Sequence, residues 1–266
     1  MRPIRIATIF IAGLLVGATV VGGAVAAKYV TGGDTEVSAI KLTGAGLPDL
    51  GTSGTYYAAG MATAIRGYHD SGQYAADLAT VGDNAERSLN NQLRRLEKSP
   101  GPGKYSECNK RGKKCKQVKP AIVFDIDETA LSSYDNLDAA DFAATGLAPG
   151  AAGGGLPAIA PSLDLYNLAV SKGVTPFFIT GRPAIPQLQT TAETNLAQAG
   201  YDDGGSVILK PADAGHTIEY KSGERARIEE QDGYKILINI GDQDSDLADG
   251  HAVRAFKLPN PMYFIP

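Results

Sequence analysis

The sequence predicts an α/β fold in which a parallel sheet carries helices on both faces. Short apolar runs occur at five places in the second half of the chain, namely residues 121–126, 175–179, 207–209, 236–240 and 252–258. Helix-like stretches separate several of these runs, at residues 162–171, 186–198 and 222–231. Polar clusters rich in carboxylates follow several of the runs. Short apolar strands that alternate with helices are typical of parallel sheets buried on both sides.

The composition is that of an ordinary folded protein. The chain has 266 residues, of which 43% are apolar and 20% are charged, which is enough for one sizeable core. Its formal net charge of −4 gives no electrostatic reason to expect a nucleic-acid partner or an anionic membrane surface.

The N-terminal segment has the features of an export signal. Arg2 and Arg5 precede an uncharged run over residues 6–27 that is rich in Ile, Leu, Val, Ala and Gly. The small residues at 24–26 offer a cleavage position, whereas the length of the run also suits an uncleaved membrane anchor. In either case we expect an exported protein, secreted or held on the outer side of the cytoplasmic membrane, with membrane contact only through this segment.

The rest of the chain divides into a linker and one domain. Residues 28–53 are rich in Gly and Thr and lack periodicity, so we predict a flexible linker there. Helical spacing of apolar residues begins near residue 54 and ends before the Ser-Pro-Gly-Pro-Gly sequence at 99–103. We therefore predict a signal peptide or anchor over 1–27 and a domain over 54–266 that begins with a helical segment.

A stretch rich in Gly, Ala and Pro over residues 145–161 falls between the first two predicted strands. Its composition does not suggest a second core. We predict a loop or small cap over a site.

The two cysteines, Cys108 and Cys115, lie close together in the sequence ECNKRGKKC. In an oxidising compartment such a pair readily closes a small loop. A two-cysteine metal site is the alternative, but it lacks the further Cys or His ligands that a zinc site needs nearby. We therefore predict a disulfide.

Polar residues at the strand ends carry the predicted chemistry. In chain order they are Asp125, Asp127, Thr180, Gly181, Arg182, Lys221, Asp242 and Asp246. Functional residues of parallel sheets gather at the carboxyl ends of the strands, so we expect these groups to meet. Buried carboxylates repel one another unless a cation neutralises them, and Mg²⁺ prefers oxygen ligands. The alternative, that Asp125 and Asp127 are surface or helix-capping residues, does not explain the other clusters.

Phosphoryl transfer gives each of these groups a task. Asp125 would attack phosphorus and form an aspartyl-phosphate. Asp127 would protonate the leaving oxygen and later take a proton from water. Lys221, the Thr180 hydroxyl and nearby backbone amides such as that of Gly181 would bind the phosphoryl oxygens.

Three sequence motifs carry a family resemblance. They are FDIDETALSSYDN at 124–136, FFITGRP at 177–183 and YKSGERARIEEQDGYKILINIGDQDSDL at 220–247. In this order they resemble the haloacid dehalogenase superfamily, and within it the class B acid phosphatase group, which includes plant vegetative storage proteins and bacterial outer-membrane acid phosphatases. The resemblance covers roughly residues 57–266. It implies a Rossmann-like core with a small cap.

The resemblance also implies a role for each motif residue. Asp125 would be the nucleophile, Asp127 the general acid and base, and Thr180 and Lys221 phosphate ligands. Mg²⁺ would be held by Asp125, the Asp127 carbonyl and Asp242. Asp246 would lie close by or act through water.

These observations predict an exported, Mg²⁺-dependent phosphatase for small phosphate monoesters, with nucleotides among the candidate substrates. A non-catalytic storage or binding protein on the same scaffold and a phosphotransferase are the alternatives. Two residues have two interpretations each. Arg182 is a phosphate ligand or an ion-pair partner, and Tyr134 stacks on an aromatic leaving group or packs in the core. Glu128, which follows the first motif, is expected to begin a helix, where a carboxylate suits the dipole.

Overall fold

The computed structural model describes residues 19–21, 24–30, 36–41, 56–98, 105–108, 115–153, 155–203 and 205–265. In this part of the chain the strands are β1 (Thr19–Val21), β2 (Ala24–Val30), β3 (Glu36–Lys41), β4 (Tyr56–Tyr57), β5 (Glu97–Lys98), β6 (Tyr105–Cys108), β7 (Cys115–Phe124), β8 (Thr175–Pro183), β9 (Ser206–Lys210), β10 (Tyr234–Gly241), β11 (Arg254–Lys257) and β12 (Tyr263–Phe264). The α-helices are α1 (Ala62–Asp70), α2 (Gln73–Arg95), α3 (Tyr134–Ala139), α4 (Ala148–Ala152), α5 (Ala160–Ser171), α6 (Pro186–Gln198), α7 (Thr217–Glu230) and α8 (Asp244–Leu247).

The centre of the fold is a parallel sheet in the order β11-β10-β7-β8-β9. Each of the five apolar runs identified in the sequence overlaps one of these strands, so the predicted α/β class is confirmed. The first half of β7 also pairs with β6 in an antiparallel ribbon, and β6 pairs with β5. At the other edge β3 runs parallel to β11.

Side chains of β7 alternate between two cores, which shows that both faces of the sheet are covered. Ile122 and Phe124 belong to the core that α2 and α5 cover. Ala121 and Val123 belong to a separate core that contains Tyr220 and Ile228 of α7. Because successive side chains of a strand point to opposite faces, one apolar run serves both cores.

The predicted N-terminal helical segment forms α1 and α2. The buried face of α2 has a spacing of three or four residues and consists of Tyr74, Leu78, Val81, Ala85, Leu89 and Leu93. Helix α2 approaches α5 closely at Gly82, where an added Cβ would lie 2.6 Å from the Cβ of Pro161. At its C-terminal end, Gln92 donates a hydrogen bond of 3.0 Å to the carbonyl of Leu237 in β10.

The N-terminal region predicted to be an export segment and a linker contains the β-strands β2 and β3. β2 and β3 form an antiparallel pair, and β3 extends the central sheet. The expectation that 28–53 is wholly irregular therefore does not hold for residues 28–30 and 36–41, where backbone pairing needs no apolar periodicity. Residues 1–18 lie outside the described part, so the signal peptide and the boundaries at 27 and 53 stay predictions. Among the described helices, none has the length and apolar character to cross a membrane.

Cys108 and Cys115 form the predicted disulfide. The two residues face each other across the β6–β7 ribbon. The stretch predicted as a loop or cap contains a 3₁₀-helix at Ala144–Leu147 followed by α4.

Candidate active site

The carboxyl ends of β7 and β10 bring the predicted aspartates together. These strands are parallel neighbours in which Phe124 lies opposite Ile240. The amide of Asp125 donates to the carbonyl of Ile240 at 3.0 Å, so the pairing continues one residue beyond β7. Asp125 and Asp242 therefore emerge side by side at one edge of the sheet.

Three carboxylates and one ammonium group form the centre of the site. Asp125, Asp242 and Asp246 are buried, and one oxygen from each lies within 4.8 Å of the others. The Lys221 ammonium group lies 2.5 Å from Asp125 Oδ1 and 2.5 Å from Asp246 Oδ1. Lys221 itself is 4% exposed and comes from the second turn of α7.

The centre carries an excess of negative charge. Burial and repulsion from Asp246 raise the pKa of Asp125 well above its ordinary value, although Lys221 acts to lower it. Burial and Asp246 also raise the pKa of Asp242 to about 6. Burial lowers the pKa of Lys221, but the adjoining Asp125 and Asp246 raise it by more, so its ammonium group stays charged. One lysine thus faces three acids.

This donor set fits a divalent cation. Oxygen ligands from several carboxylates are what Mg²⁺ binds in proteins, and a cation would relieve the repulsion that raises both aspartate pKa values. Asp242 accepts from Thr129 Oγ1 at 3.1 Å, from Asn260 Nδ2 at 2.7 Å and from Gln243 Nε2. A carboxylate has about four lone-pair positions, so these three donors orient Asp242 and leave it able to bind a cation.

Asp246 is held at both its side chain and its backbone. Its Oδ2 accepts from the Gln243 amide at 2.8 Å. Its carbonyl accepts from Asn239 Nδ2 at 2.9 Å and from Arg225 Nη1 at 2.7 Å. Arg225 follows Lys221 by one helical turn of α7, so one face of this helix contacts Asp246 twice.

Gly241 gives Asp246 the space it occupies. A Cβ at position 241 would lie 2.3 Å from the Cβ of Asp246 and 2.5 Å from its Oδ2. Contacts this short cannot form without movement of the backbone. The glycine of the GDQDSD motif is therefore required sterically.

We expect Gly241→Ala to displace Asp246, lower activity strongly and lower the free energy of unfolding by about 1–3 kcal/mol, as overpacking does. Gly223→Ala is the matched control, because Gly223 lies in α7 with nothing within 4 Å of an added Cβ. The control should raise the free energy of unfolding by about 0.5–1 kcal/mol. Urea denaturation and phosphate release measure both effects. Equal activity of the two variants would contradict this steric role.

Asp127 lies in the same cleft but outside the carboxylate triad. Its two oxygens accept from Arg182, Oδ2 from Nε at 3.0 Å and Oδ1 from Nη2 at 2.6 Å. The Asp127 side chain is 28% exposed, whereas that of Arg182 is 5% exposed. Arg182 therefore forms the ion pair that is one of its two interpretations, and its role as a phosphate ligand stays a prediction. The predicted metal ligand at residue 127 remains its backbone carbonyl.

Two of the three polar-cluster residues of the motif at 177–183 line the cleft. Gly181 and Arg182 line it. Thr180 is 1% exposed, and its Oγ1 accepts from the Arg182 amide at 3.2 Å. Its role as a phosphate ligand stays a prediction.

The cleft has a volume of about 240 Å³ and is lined by residues of two kinds. The first kind is the charged residues described above. The second kind is Leu147 and Ala151 of the predicted cap, with Tyr263 and Ile265 near the C-terminus. Tyr134 does not occur among the described lining residues; it stacks on His69 at 3.8 Å between ring centroids and belongs to a core cluster. The packing interpretation of Tyr134 is therefore correct.

Glu128 does not begin a helix, so that expectation is wrong. It lies in a turn with a left-handed backbone (φ 55°) and is fully buried. Its Oε1 accepts from the amide of Ser133, the residue before α3, at 2.6 Å. Burial raises the pKa of Glu128 to about 8, with Asp242 and Asp127 adding to the effect of burial and the Ser133 amide opposing it.

This raised pKa predicts a pH-dependent stability. The folded protein holds the proton more tightly than the unfolded chain, so the contribution of Glu128 is present below about pH 4 and is lost as the pH rises through about 8. We expect Glu128→Gln to raise the free energy of unfolding at pH 8, relative to wild type, by on the order of a few kcal/mol in metal-free buffer. Urea denaturation between pH 5 and 8 measures this, with exposed Glu193→Gln as the control. Parallel curves for wild type and Glu128→Gln would contradict it.

Sequence reasoning missed the residues that hold the aspartates in place. Thr129, Arg225, Gln243 and Asn260 all contact Asp242 or Asp246. Gln243 directly follows Asp242 and Thr129 lies two residues after Asp127, and this proximity was a usable signal. Arg225 could have been found from its spacing of four residues from Lys221. Asn260 carries no local signal, since it lies 18 residues from Asp242.

Comparison with protein families gives a match over most of the chain. A model of HAD superfamily subfamily IIIB (acid phosphatase) matches residues 52–266. Curated relatives include stem 28 kDa glycoprotein of Glycine max (38% identity over 157 residues, 55% of this chain and 61% of the relative), vegetative storage protein 1 of Arabidopsis thaliana (34% over 151 residues, 54% and 55%) and acid phosphatase 1 of Solanum lycopersicum (33% over 158 residues, 54% and 58%). The matches therefore span less than two thirds of each relative.

A solved structure shares the fold. It is the class C acid phosphatase from Bacillus anthracis with tungstate bound, at a TM-score of 0.56 and 18% identity, covering 78% of this chain and 85% of that chain. At this identity the likeness concerns the fold alone.

Proposed function

The chain belongs to subfamily IIIB of the HAD superfamily, the acid phosphatases, and from this premise we propose that it is an exported, Mg²⁺-dependent phosphomonoesterase that acts through an aspartyl-phosphate. The observation that carries the proposal is the position of Asp125. This carboxylate lies at the end of the central strand β7, 2.5 Å from a charged lysine and within the acidic triad. It also lines the cleft that Asp127 lines.

The chemistry divides between two carboxylates. An oxygen of Asp125 attacks phosphorus, and the bond to the leaving oxygen breaks as Asp127 gives that oxygen a proton. Asp127 then takes a proton from the water that attacks the aspartyl-phosphate, and inorganic phosphate leaves. Asp127 suits both steps because it lines the cleft and is the part-exposed member of the acidic group, with a side chain that is 28% exposed.

Lys221 orients the Asp125 carboxylate and neutralises part of the negative charge around it. Its ammonium group bonds one oxygen of Asp125 and leaves the other for attack. A bound Mg²⁺ would supply the remaining neutralisation of phosphoryl oxygens, and Asp125, Asp242 and the Asp127 carbonyl would hold it, with Asp246 nearby. Gly181 and the Thr180 hydroxyl are the proposed phosphate ligands from the second motif.

A storage protein is the second candidate, because vegetative storage proteins are among the relatives. A protein kept only as a reserve has no need to retain the charged set. In this chain Asp125, Asp127, Lys221 and Asp242 are all present and all line one cleft. That retention favours catalysis.

The proposal is tested with the purified chain in Mg²⁺ and a panel of p-nitrophenyl phosphate, nucleotides and sugar phosphates. We expect phosphate release that EDTA abolishes and Mg²⁺ restores. Added glycerol separates hydrolysis from phosphotransfer, since a phosphotransferase would form glycerol phosphate in place of free phosphate. No turnover of any ester would support the storage candidate.

The export part of the proposal rests on the N-terminal sequence and on the disulfide between Cys108 and Cys115, which persists in oxidising compartments. The substrate is proposed to be a small phosphate monoester, with nucleotides included. Expression of the full chain followed by N-terminal sequencing of the extracytoplasmic protein tests cleavage near residues 24–26.

A further inference from the structure

Arg182 enters the cleft from an irregular part of β8. The pairing between β8 and β9 changes register between Thr180 and Pro183, and Arg182 lies in this interval. Such irregularities next to active sites redirect a side chain. Here the Arg182 side chain lines the cleft although it is 95% buried.

The hydrogen bonds of Arg182 are incomplete. A guanidinium group has five N–H donors. Nε and Nη2 bond Asp127 in a two-point contact. Nη1 is buried and has no hydrogen-bond partner within the described ranges. A buried donor left without a partner is costly, and a charged one more so, which indicates a ligand for this atom.

The charges around the cleft indicate what that ligand is. Arg182 and Lys221 are the cations among its described lining residues. Two of the three Lys221 donors are used on Asp125 and Asp246. Lys221 therefore keeps one free N–H donor, whereas Nη1 of Arg182 offers two. A phosphoryl group attacked by Asp125 would bring oxygens that need such donors.

We propose that Nη1 of Arg182 binds a non-bridging oxygen of the substrate phosphoryl group while Nε and Nη2 keep hold of Asp127. This rests on the proposed function, and it makes Arg182 a substrate-binding residue that joins the acid–base carboxylate to the reacting group. Because one planar group makes both contacts, the position of Asp127 relative to phosphorus is fixed by the guanidinium. Lysine cannot reproduce this, since it is a point donor without the planar fork.

Isothermal titration calorimetry with inorganic phosphate in Mg²⁺ tests the proposal without turnover. We expect Arg182→Lys to weaken phosphate binding by roughly tenfold and Arg182→Gln by up to about 100-fold. Arg66→Lys is the matched control, because Arg66 also bonds two aspartates, Asp138 and Asp141, but does not line the cleft. The control should bind phosphate as wild type does.

A second background separates direct binding from an effect through Asp127. In Asp127→Asn, Arg182→Lys should again weaken phosphate binding by roughly tenfold. If the loss disappears in this background, Arg182 acts only through Asp127 and the proposal is wrong. Unchanged phosphate affinity in Arg182→Lys would also overturn the proposal. If the KM for esters were raised in the same variant, Arg182 would contact the leaving group instead.

Circular dichroism shows whether each variant folds. Where Arg182→Lys does not fold, Arg182→Gln takes its place in the titration. The outcome is distinguishable from failure of the proposed function. A wild-type protein that binds phosphate through Arg182 but hydrolyses no ester would support the contact and contradict the enzyme.

Discussion

Replacement of Asp125 by asparagine is expected to reduce phosphomonoesterase activity by at least about 10⁴-fold, as the loss of a nucleophile does in other enzymes. Asparagine has the same shape, and its carbonyl oxygen can still accept the hydrogen bond from Lys221. The loss would thus come from chemistry and not from packing. Phosphate release from p-nitrophenyl phosphate in Mg²⁺ measures it.

The same substitution is expected to stabilise the metal-free protein. The raised pKa of Asp125 means that its ionised form is disfavoured in the fold, so its contribution to stability is lost as the pH rises above the ordinary aspartate range. A neutral asparagine removes this cost at pH 7. We therefore expect a higher melting temperature for Asp125→Asn than for wild type in EDTA, and a smaller increase on adding Mg²⁺.

A matched control separates these effects from general damage. Asp83 is exposed on α2 and does not line the cleft. Asp83→Asn should keep both activity and melting temperature. Wild-type activity in Asp125→Asn would remove this residue as the nucleophile, and a lower melting temperature in EDTA would show that the triad is not under charge repulsion.

The central sheet was predictable because its inner strands β7, β8 and β10 are buried on both faces. A strand such as β7 needs apolar side chains on each side, so it appears in the sequence as an unbroken run and its end is marked by the first carboxylate. That boundary also located Asp125 and Asp242. The N-terminal strand β3 gave no such signal, because its sequence EVSAIK contains no unbroken apolar run.

Helix α7 shows why the rest of the site was harder to predict. It begins at Thr217, five residues before the helical stretch expected from the sequence. Its buried residues include Lys221 and Arg225, so the face that contacts the site is polar and apolar periodicity is weak. A helix that buries charged groups for a purpose is therefore hidden from the pattern that reveals other helices.

The turn after β7 was also beyond the sequence pattern. Glu128 next to two aspartates indicated a helix start, where a carboxylate is favourable. In the structure the chain instead turns back, with the Glu128 amide donating to the Leu131 carbonyl at 2.8 Å. The Glu128 side chain then accepts a hydrogen bond from the Ser133 amide. The spacing of residues in the sequence does not predict this contact.

Removal of the Asp242 carboxylate is expected to weaken Mg²⁺ binding strongly. Asp242→Ala should weaken Mg²⁺ affinity by at least about 100-fold, because loss of residues that merely orient a ligand already costs about 10–100-fold. The triad would keep Asp125 and Asp246, each of which already shares one oxygen with Lys221. Calorimetric titration with Mg²⁺ measures the affinity, and activity should fall in parallel.

The donors around Asp242 provide a graded series for the same experiment. Asn260→Ala removes the 2.7 Å bond to Oδ2 and Thr129→Val removes the 3.1 Å bond to Oδ1, so each should weaken Mg²⁺ binding by about 10–100-fold. Asp249→Asn is the control, because Asp249 is exposed and its left-handed backbone (φ 60°) suits asparagine. Full Mg²⁺ affinity in Asp242→Ala would show that the ion lies elsewhere. An effect in Asp242→Ala without one in either donor variant would show that the carboxylate needs no orientation, and the hydrogen bonds around it would then serve the fold alone.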